Sequence, residues 1–132
     1  AQRPAADVLM TAVRAVCCLA YHKSLRRDLV GAGAVPALIC VVLAGGAPFA
    51  LLREDLARAF CYLAVVKDNR QAMVRQRVVL ALVLLCRRAA ANPNVEALAA
   101  LTLQYLSWSK PAHGTLVREG GVQLLVDMLR AA

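Results

Sequence analysis

The chain has 132 residues, of which 61% are hydrophobic and only 5% aromatic, with a formal net charge of +8. That length suffices for one ordinary core, and apolar content drawn mainly from Ala, Val and Leu favours close-packed helices over a sheet sandwich. The basic balance excludes basic partners before acidic ones and is carried by thirteen Arg against three Lys; Arg is the better cation for bidentate contacts to carboxylate or phosphate.

Taken in chain order, the first expected element is a long helix over 7–21, with apolar residues three and four apart. A short helix near 24–31 and a medium one near 35–44 follow. Between them, Gly31-Ala-Gly-Ala-Val-Pro36 supplies a sharp turn at positive φ and a proline suited to a first helical turn. The 24 residues from Leu29 to Leu52 carry no charge, enough by length to span a bilayer. Gly31, Gly33, Pro36, Gly45, Gly46 and Pro48 cut that stretch, so a membrane span is not expected. A second long helix is expected over 51–66, a short one near 68–75 and a medium one near 78–88. The last three run over 94–108, 111–119 and 121–130. Asn92-Pro93-Asn94 marks the start of the third long helix, and Pro111 sits where a first-turn proline is tolerated.

The order long, short, medium is repeated three times. Arg14-Ala-Val-Cys-Cys-Leu-Ala20 aligns with Arg58-Ala-Phe-Cys-Tyr-Leu-Ala64 at an offset of 44, and Leu63, Met73, Val79 and Leu82 return 43 residues later as Leu106, Leu116, Val122 and Leu125. Units of approximately 1–46, 47–90 and 91–132 follow. In the middle unit Arg75-Gln76-Arg77 replaces the Ala-Gly turn, which predicts a smoother connection there. The chain opens and closes in Ala-rich sequence with no polar outer face on either terminal unit, so we expect a segment of a longer solenoid. The cysteines at 17, 18, 40, 61 and 86 are odd in number, form no CxxC and sit among apolar residues. They point to a reducing compartment. Cys18 and His22 lie one helical turn apart, but no second ligand pair accompanies them.

Leu29-Val-Gly-Ala-Gly-Ala-Val-Pro-Ala-Leu38 and the preceding Arg-Ala-Val-Cys-Cys-Leu-Ala run are similar to the armadillo-repeat signature, and the likeness extends over the whole chain as about three units. The resemblance implies an all-α fold, a right-handed α-solenoid of three-helix repeats, with HEAT-like packing as the runner-up. It also implies that successive long helices line a concave groove receiving an extended segment. By register the groove positions are Arg14 and Cys18, Arg58 and Tyr62, and Leu101 and Tyr105. Val13, Val16, Leu19, Phe60, Leu63, Leu103 and Leu106 would point into the core. Importin-alpha-like proteins carry Trp and Asn at the paired groove positions; that ladder is absent here. The two arginines resemble more the basic groove of beta-catenin-like proteins, which takes acidic, extended partners.

A second basic cluster, Arg70, Arg75, Arg77, Arg87 and Arg88 with Lys67, is relieved in sequence only by Asp68. It defines a basic rim for phosphates, an acidic protein surface or lipid headgroups; solvated charge flanking the apolar 78–86 segment is the simpler explanation. His113 stands where Arg26 and Arg70 stand in the other units, a surface polar role rather than a catalytic one. No phosphate loop, HExxH or GxSxG is present, and the eight acidic residues form no repeated pair, so neither an enzyme nor a cofactor is expected. The expectation is a cytoplasmic scaffold for protein–protein interaction. A spacer in a cytoskeletal or ciliary assembly is the alternative. Nucleic-acid or membrane-surface binding through the rim ranks below both, because the aromatic interleaving of single-strand binders is missing. No small-molecule substrate is expected.

Overall fold

The computed structural model describes residues 5–132, so the first four residues of the expected 1–46 unit lie outside the described part. Among the described residues there are nine α-helices, two 3₁₀ turns and no strand. Helix α1 (Ala6–Tyr21) leads through a 3₁₀ turn (Lys23–Leu25) into α2 (Arg26–Gly31) and α3 (Ala34–Ala44). Next come α4 (Gly46–Ala64), α5 (Lys67–Arg75) and α6 (Val78–Arg87), then α7 (Pro93–Ser107), a second 3₁₀ turn (Lys110–Ala112), α8 (His113–Arg118) and α9 (Gly121–Arg130). Helix α7 starts where the Asn92 side chain accepts hydrogen bonds from the amides of Asn94 and Val95, at 3.0 and 3.2 Å. Pro93 then occupies the first turn, where a missing amide costs no helical bond.

Two boundaries differ from the sequence reading. Helix α4 begins at Gly46 rather than 51. Gly45 and Gly46, both at positive φ, complete the reversal after α3, and Pro48 falls in the first turn, where it is tolerated. Burial of Phe49 and Leu52 then holds the extra turn against the core. The second difference concerns the middle unit. Arg77 has φ 74°, matching Gly33 at 89° and Gly120 at 87°. In all three places the left-handed residue donates its amide three residues back, to Val30, Val74 and Val117. The turn therefore survives without glycine, contrary to the smoother connection expected there. A non-glycine residue in this conformation costs about 1–2 kcal/mol; the Arg77 Nε–Glu119 contact at 3.1 Å offsets part of that.

The packing is serial. Helix α4 packs against α1 on one side and α7 on the other; α6 lies between α3 and α9, and α5 against α2 and the Lys110–Ala112 turn. Leu52, Leu56, Phe60 and Leu63 of α4 are fully buried, as are their counterparts Val95, Ala99, Leu103 and Leu106 of α7. The counterparts on α1 are Val8, Ala12, Val16 and Leu19, and none of them is buried. Leu19 is thus exposed and Val16 only partly buried, short of the core positions expected from register, because no described helix packs on that side of α1. Burial of each such aliphatic side chain is worth about 1.5–3 kcal/mol, so this face forgoes a substantial contribution. At the other end Val122 and Leu129 of α9 are exposed. Among the described residues no single helix is long and apolar enough to cross a membrane; the uncharged 29–52 stretch is divided among α2, α3 and α4.

Candidate interaction surface

The expected groove positions divide into one ion-pair cluster, two separate cation–aromatic stacks and two isolated residues. Arg14 and Arg58 come together around Asp55: Arg14 Nε lies 3.6 Å from one carboxylate oxygen and Arg58 Nη1 3.7 Å from the other. Arg58 Nη2 also donates to Glu54 Oε1 at 3.2 Å, one helical turn back. Two cations are thus met by two anions from α4, a balance that the Arg14/Arg58 register conceals. Cys18 and Leu101 are exposed and belong to none of these groups.

Tyr62 and Tyr105 are half-buried, each beneath a guanidinium from the preceding short helix. The Arg26 guanidinium lies 5.4 Å above the Tyr62 ring, and that of Arg70 lies 5.3 Å from Tyr105 and 5.2 Å from Trp108. Tyr21 meets Tyr62 edge-on, as Trp108 meets Tyr105. The same arginines cap the long helices. Arg26 donates to the carbonyls of Ala20 and Tyr21 at 2.7 and 3.1 Å, and Arg70 to those of Ala64 and Val65 at 2.7 and 3.0 Å. A cation there satisfies orphan carbonyls and the negative end of the helix dipole. In the third unit His113 Nε2 makes the equivalent contact with Ser107 O at 2.8 Å. His113 is a helix cap, and its register with Arg26 and Arg70 carried that signal.

The expected basic rim is largely consumed by the fold. Arg70 is buried as described. Arg77 pairs with Glu119, whose other oxygen accepts the Leu80 amide. Arg87 pairs with Asp127 at 2.7 Å, which holds that carboxyl below its ordinary pKa, with help from Gln123. Arg88 Nη1 donates to Val42 O at 2.6 Å. Only Arg75 of the five has no hydrogen-bond or ion-pair partner among the described residues. Two kinds of partner take up these arginines: Glu119 and Asp127, which reach back one unit across the α6–α9 packing to Arg77 and Arg87, and backbone carbonyls, which hold Arg70 and Arg88. A further arginine outside the expected set, Arg53, is buried on the carbonyls of Leu85 and Ala90 and closes the end of α6.

Besides Arg75, the cations left free include two that sequence reasoning passed over, Lys23 and Lys110, and Lys67, which it had grouped with the rim. Lys23, Lys67 and Lys110 form no ion pair among the described residues, and they are all the lysines of the chain. Their spacing of 44 and 43 residues was a legible signal. Cys17 and Cys61 are buried, and burial raises their thiol pKa values; Cys86, half-buried, is pushed up to about 11, mainly by desolvation with Glu96 adding to it. No group of three or more His, Cys, Asp or Glu side chains is disposed to hold a metal ion among the described residues. No family model matches the chain, and no curated protein matches it.

Proposed function

We propose that the chain is a non-enzymatic scaffold for protein–protein interaction, an armadillo-type α-solenoid of three units that holds an extended, acidic segment of a partner protein. The observation that carries the reading is the serial packing of each helix on its counterpart one unit away, α1 on α4 on α7 and α3 on α6 on α9. Elements stacked in that way bury each unit on its neighbours and leave a long face for an extended ligand. Thiols with raised pKa values are the reverse of activated nucleophiles, which agrees with a binding role.

The proposed seat is the outer face of α1, α4 and α7, with Arg14, Cys18, Arg58, Tyr62, Leu101 and Tyr105. A partner carboxylate there competes with Asp55 for Arg14. That competition is mild, because an exposed ion pair contributes only about 0.2–1 kcal/mol. Binding of an acidic peptide should therefore strengthen in Asp55→Asn and be lost in the Arg14→Glu/Arg58→Glu double variant, with helix content unchanged. Unaltered affinity in both variants would remove this face from the reading. A spacer role in a larger assembly is favoured by a separate observation, the uncovered apolar face of α1, and would leave those variants silent while requiring Val8 and Leu19.

A further inference from the structure

The three lysines occupy one repeat position. Lys67 is the first residue of α5, and Lys23 and Lys110 are the first residues of the two 3₁₀ turns that lead into α2 and α8. A cation at the start of a helix works against the partial positive charge of the unpaired amides there. The fold therefore does not call for lysine in these places. Elsewhere the chain uses arginine and occupies most of it internally, on Asp55, Asp68, Glu119, Asp127 or backbone carbonyls. Asp68 does not neutralise its neighbour Lys67, since its carboxylate is held by Arg27 at 2.6 Å.

Two residues before each lysine stands an exposed apolar or aromatic side chain: Tyr21, Val65 and Trp108, the last 62% exposed. Between the second and third units a half-open hollow of about 650 Å³ is lined by Lys67, Asp68, Arg70, Gln71, Trp108 and Lys110, among others. Arg70 is nine-tenths buried and lines that hollow, while its Nη1 has no hydrogen-bond partner among the described residues. The hollow thus offers two free ammonium groups, one unspent guanidinium nitrogen and an indole that remains largely exposed although Arg70 stacks on it.

We propose that this edge, Lys23–Lys67–Lys110 with Tyr21, Val65 and Trp108, is a docking strip for an extended acidic peptide segment carrying an apolar side chain that covers Trp108. The inference rests on the scaffold reading and adds a second line of contact beside the α1–α4–α7 face. Charge complementarity selects the occupant. Packed helices lie about 8–10 Å apart, and a chain in the polyproline-II conformation advances about 3.1 Å per residue with every third side chain on one face, so carboxylates three residues apart match successive lysines. A strip that sets an apolar side chain beside each lysine suits a peptide, which can carry carboxylates and apolar side chains together. Nucleic acid would instead call for stacked aromatics in each unit, and Val65 interrupts that series.

The test uses the 132-residue chain and a fluorescein-labelled peptide with Glu at every third position and Leu beside the last Glu. Trp108 is the only tryptophan, so its emission reports on the hollow itself. Saturable anisotropy, a blue-shifted Trp108 emission, and a loss of about tenfold or more in affinity in Lys23→Glu/Lys67→Glu/Lys110→Glu are expected, since reversal removes attraction and adds repulsion. The corresponding Lys→Gln variant should lose less, and Lys→Arg should retain binding. Circular dichroism checks that helix content is kept. Failure of the peptide to bind the wild-type chain, or an unshifted Trp108 emission on binding, overturns the proposal. Tighter binding of oligodeoxythymidylate or of phosphatidylserine-containing vesicles than of the peptide overturns the stated partner. If the lysine variants bind normally while Arg14→Glu/Arg58→Glu does not, the strip fails and the scaffold reading stands. The opposite pattern upholds the strip and removes the α1–α4–α7 seat.

Discussion

Replacing Arg70 by methionine tests whether the capping arginines hold the units together. The arginine is buried, donates to Ala64 O and Val65 O at 2.7 and 3.0 Å, and stacks on Tyr105 and Trp108 of the next unit. Methionine keeps much of the aliphatic stem but leaves those carbonyls without a donor, at about 1–3 kcal/mol each when water is excluded. Val65 O is only partly covered, so the lower end applies there. Lost cation–π contact adds about 0.5–2 kcal/mol, for a total near about 3–5 kcal/mol. In a domain of this size that lowers the thermal midpoint by about 10–20 °C. Arg26→Met removes the same two bonds but only one ring contact, so about 2–4 kcal/mol is expected. His113→Ala removes one exposed contact and should cost about 0.5–1.5 kcal/mol. Arg70→His copies the third unit and should fall between Met and wild type. Urea unfolding followed by circular dichroism ranks the four variants. Equal losses at 26, 70 and 113, or a loss below about 1 kcal/mol for Arg70→Met, would refute the capping account.

The thiols supply a second check: Cys18 and Cys40 should react with Ellman's reagent in the folded protein, while Cys17, Cys61 and Cys86 become reactive only on unfolding. Because burial raises the folded pKa of Cys86 from 9.0 to about 11, its contribution to stability is complete below pH 9 and lost as pH rises through that interval, which pH-dependent urea titration reads directly. The uncovered ends make a third. Sedimentation of the 132-residue chain should show concentration-dependent self-association, weakened by Leu19→Glu together with Leu129→Glu; a monodisperse wild-type monomer would show that these apolar faces need no cover.

Among the candidate binding residues, legibility followed the range of the interactions involved. Arg14 and Arg58 were placed on a common face from their offset alone, since residues in register must recur on the same side of each long helix. That Asp55 meets Arg14 was not legible from that register, because the contact joins positions 41 residues apart; the contacts of Arg58 with Glu54 and Asp55 lie within one turn of α4 and were legible in the helical spacing. The rim failed for the same reason at Arg77, Arg87 and Arg88, whose partners lie 40 or more residues away, whereas Arg70 caps a helix end five and six residues back. Arg70, Arg77, Arg87 and Arg88 read as one charged cluster along the chain, yet each finds its partner on another element. The lysine row was legible throughout, as a spacing, but only the occupation of the arginines made the lysines stand out.

The sequence by itself determined the all-helical class, the order of long, short and medium helices, and the places where they turn. Those features depend on periodicity and on local backbone chemistry: apolar residues three and four apart, Asn92-Pro93 at a helix start, glycine at Gly33 and Gly120. Tertiary structure decided what those signals leave open. Arg77 adopts the left-handed turn without glycine because flanking helices fix it there and Glu119 receives its side chain. Leu63 and Leu19 share a register, yet one is fully buried and the other 42% exposed. The difference lies in which helix stands beside each. Burial is a property of the neighbour as much as of the residue, and a repeated sequence specifies the same surface in every unit without saying which surfaces are covered.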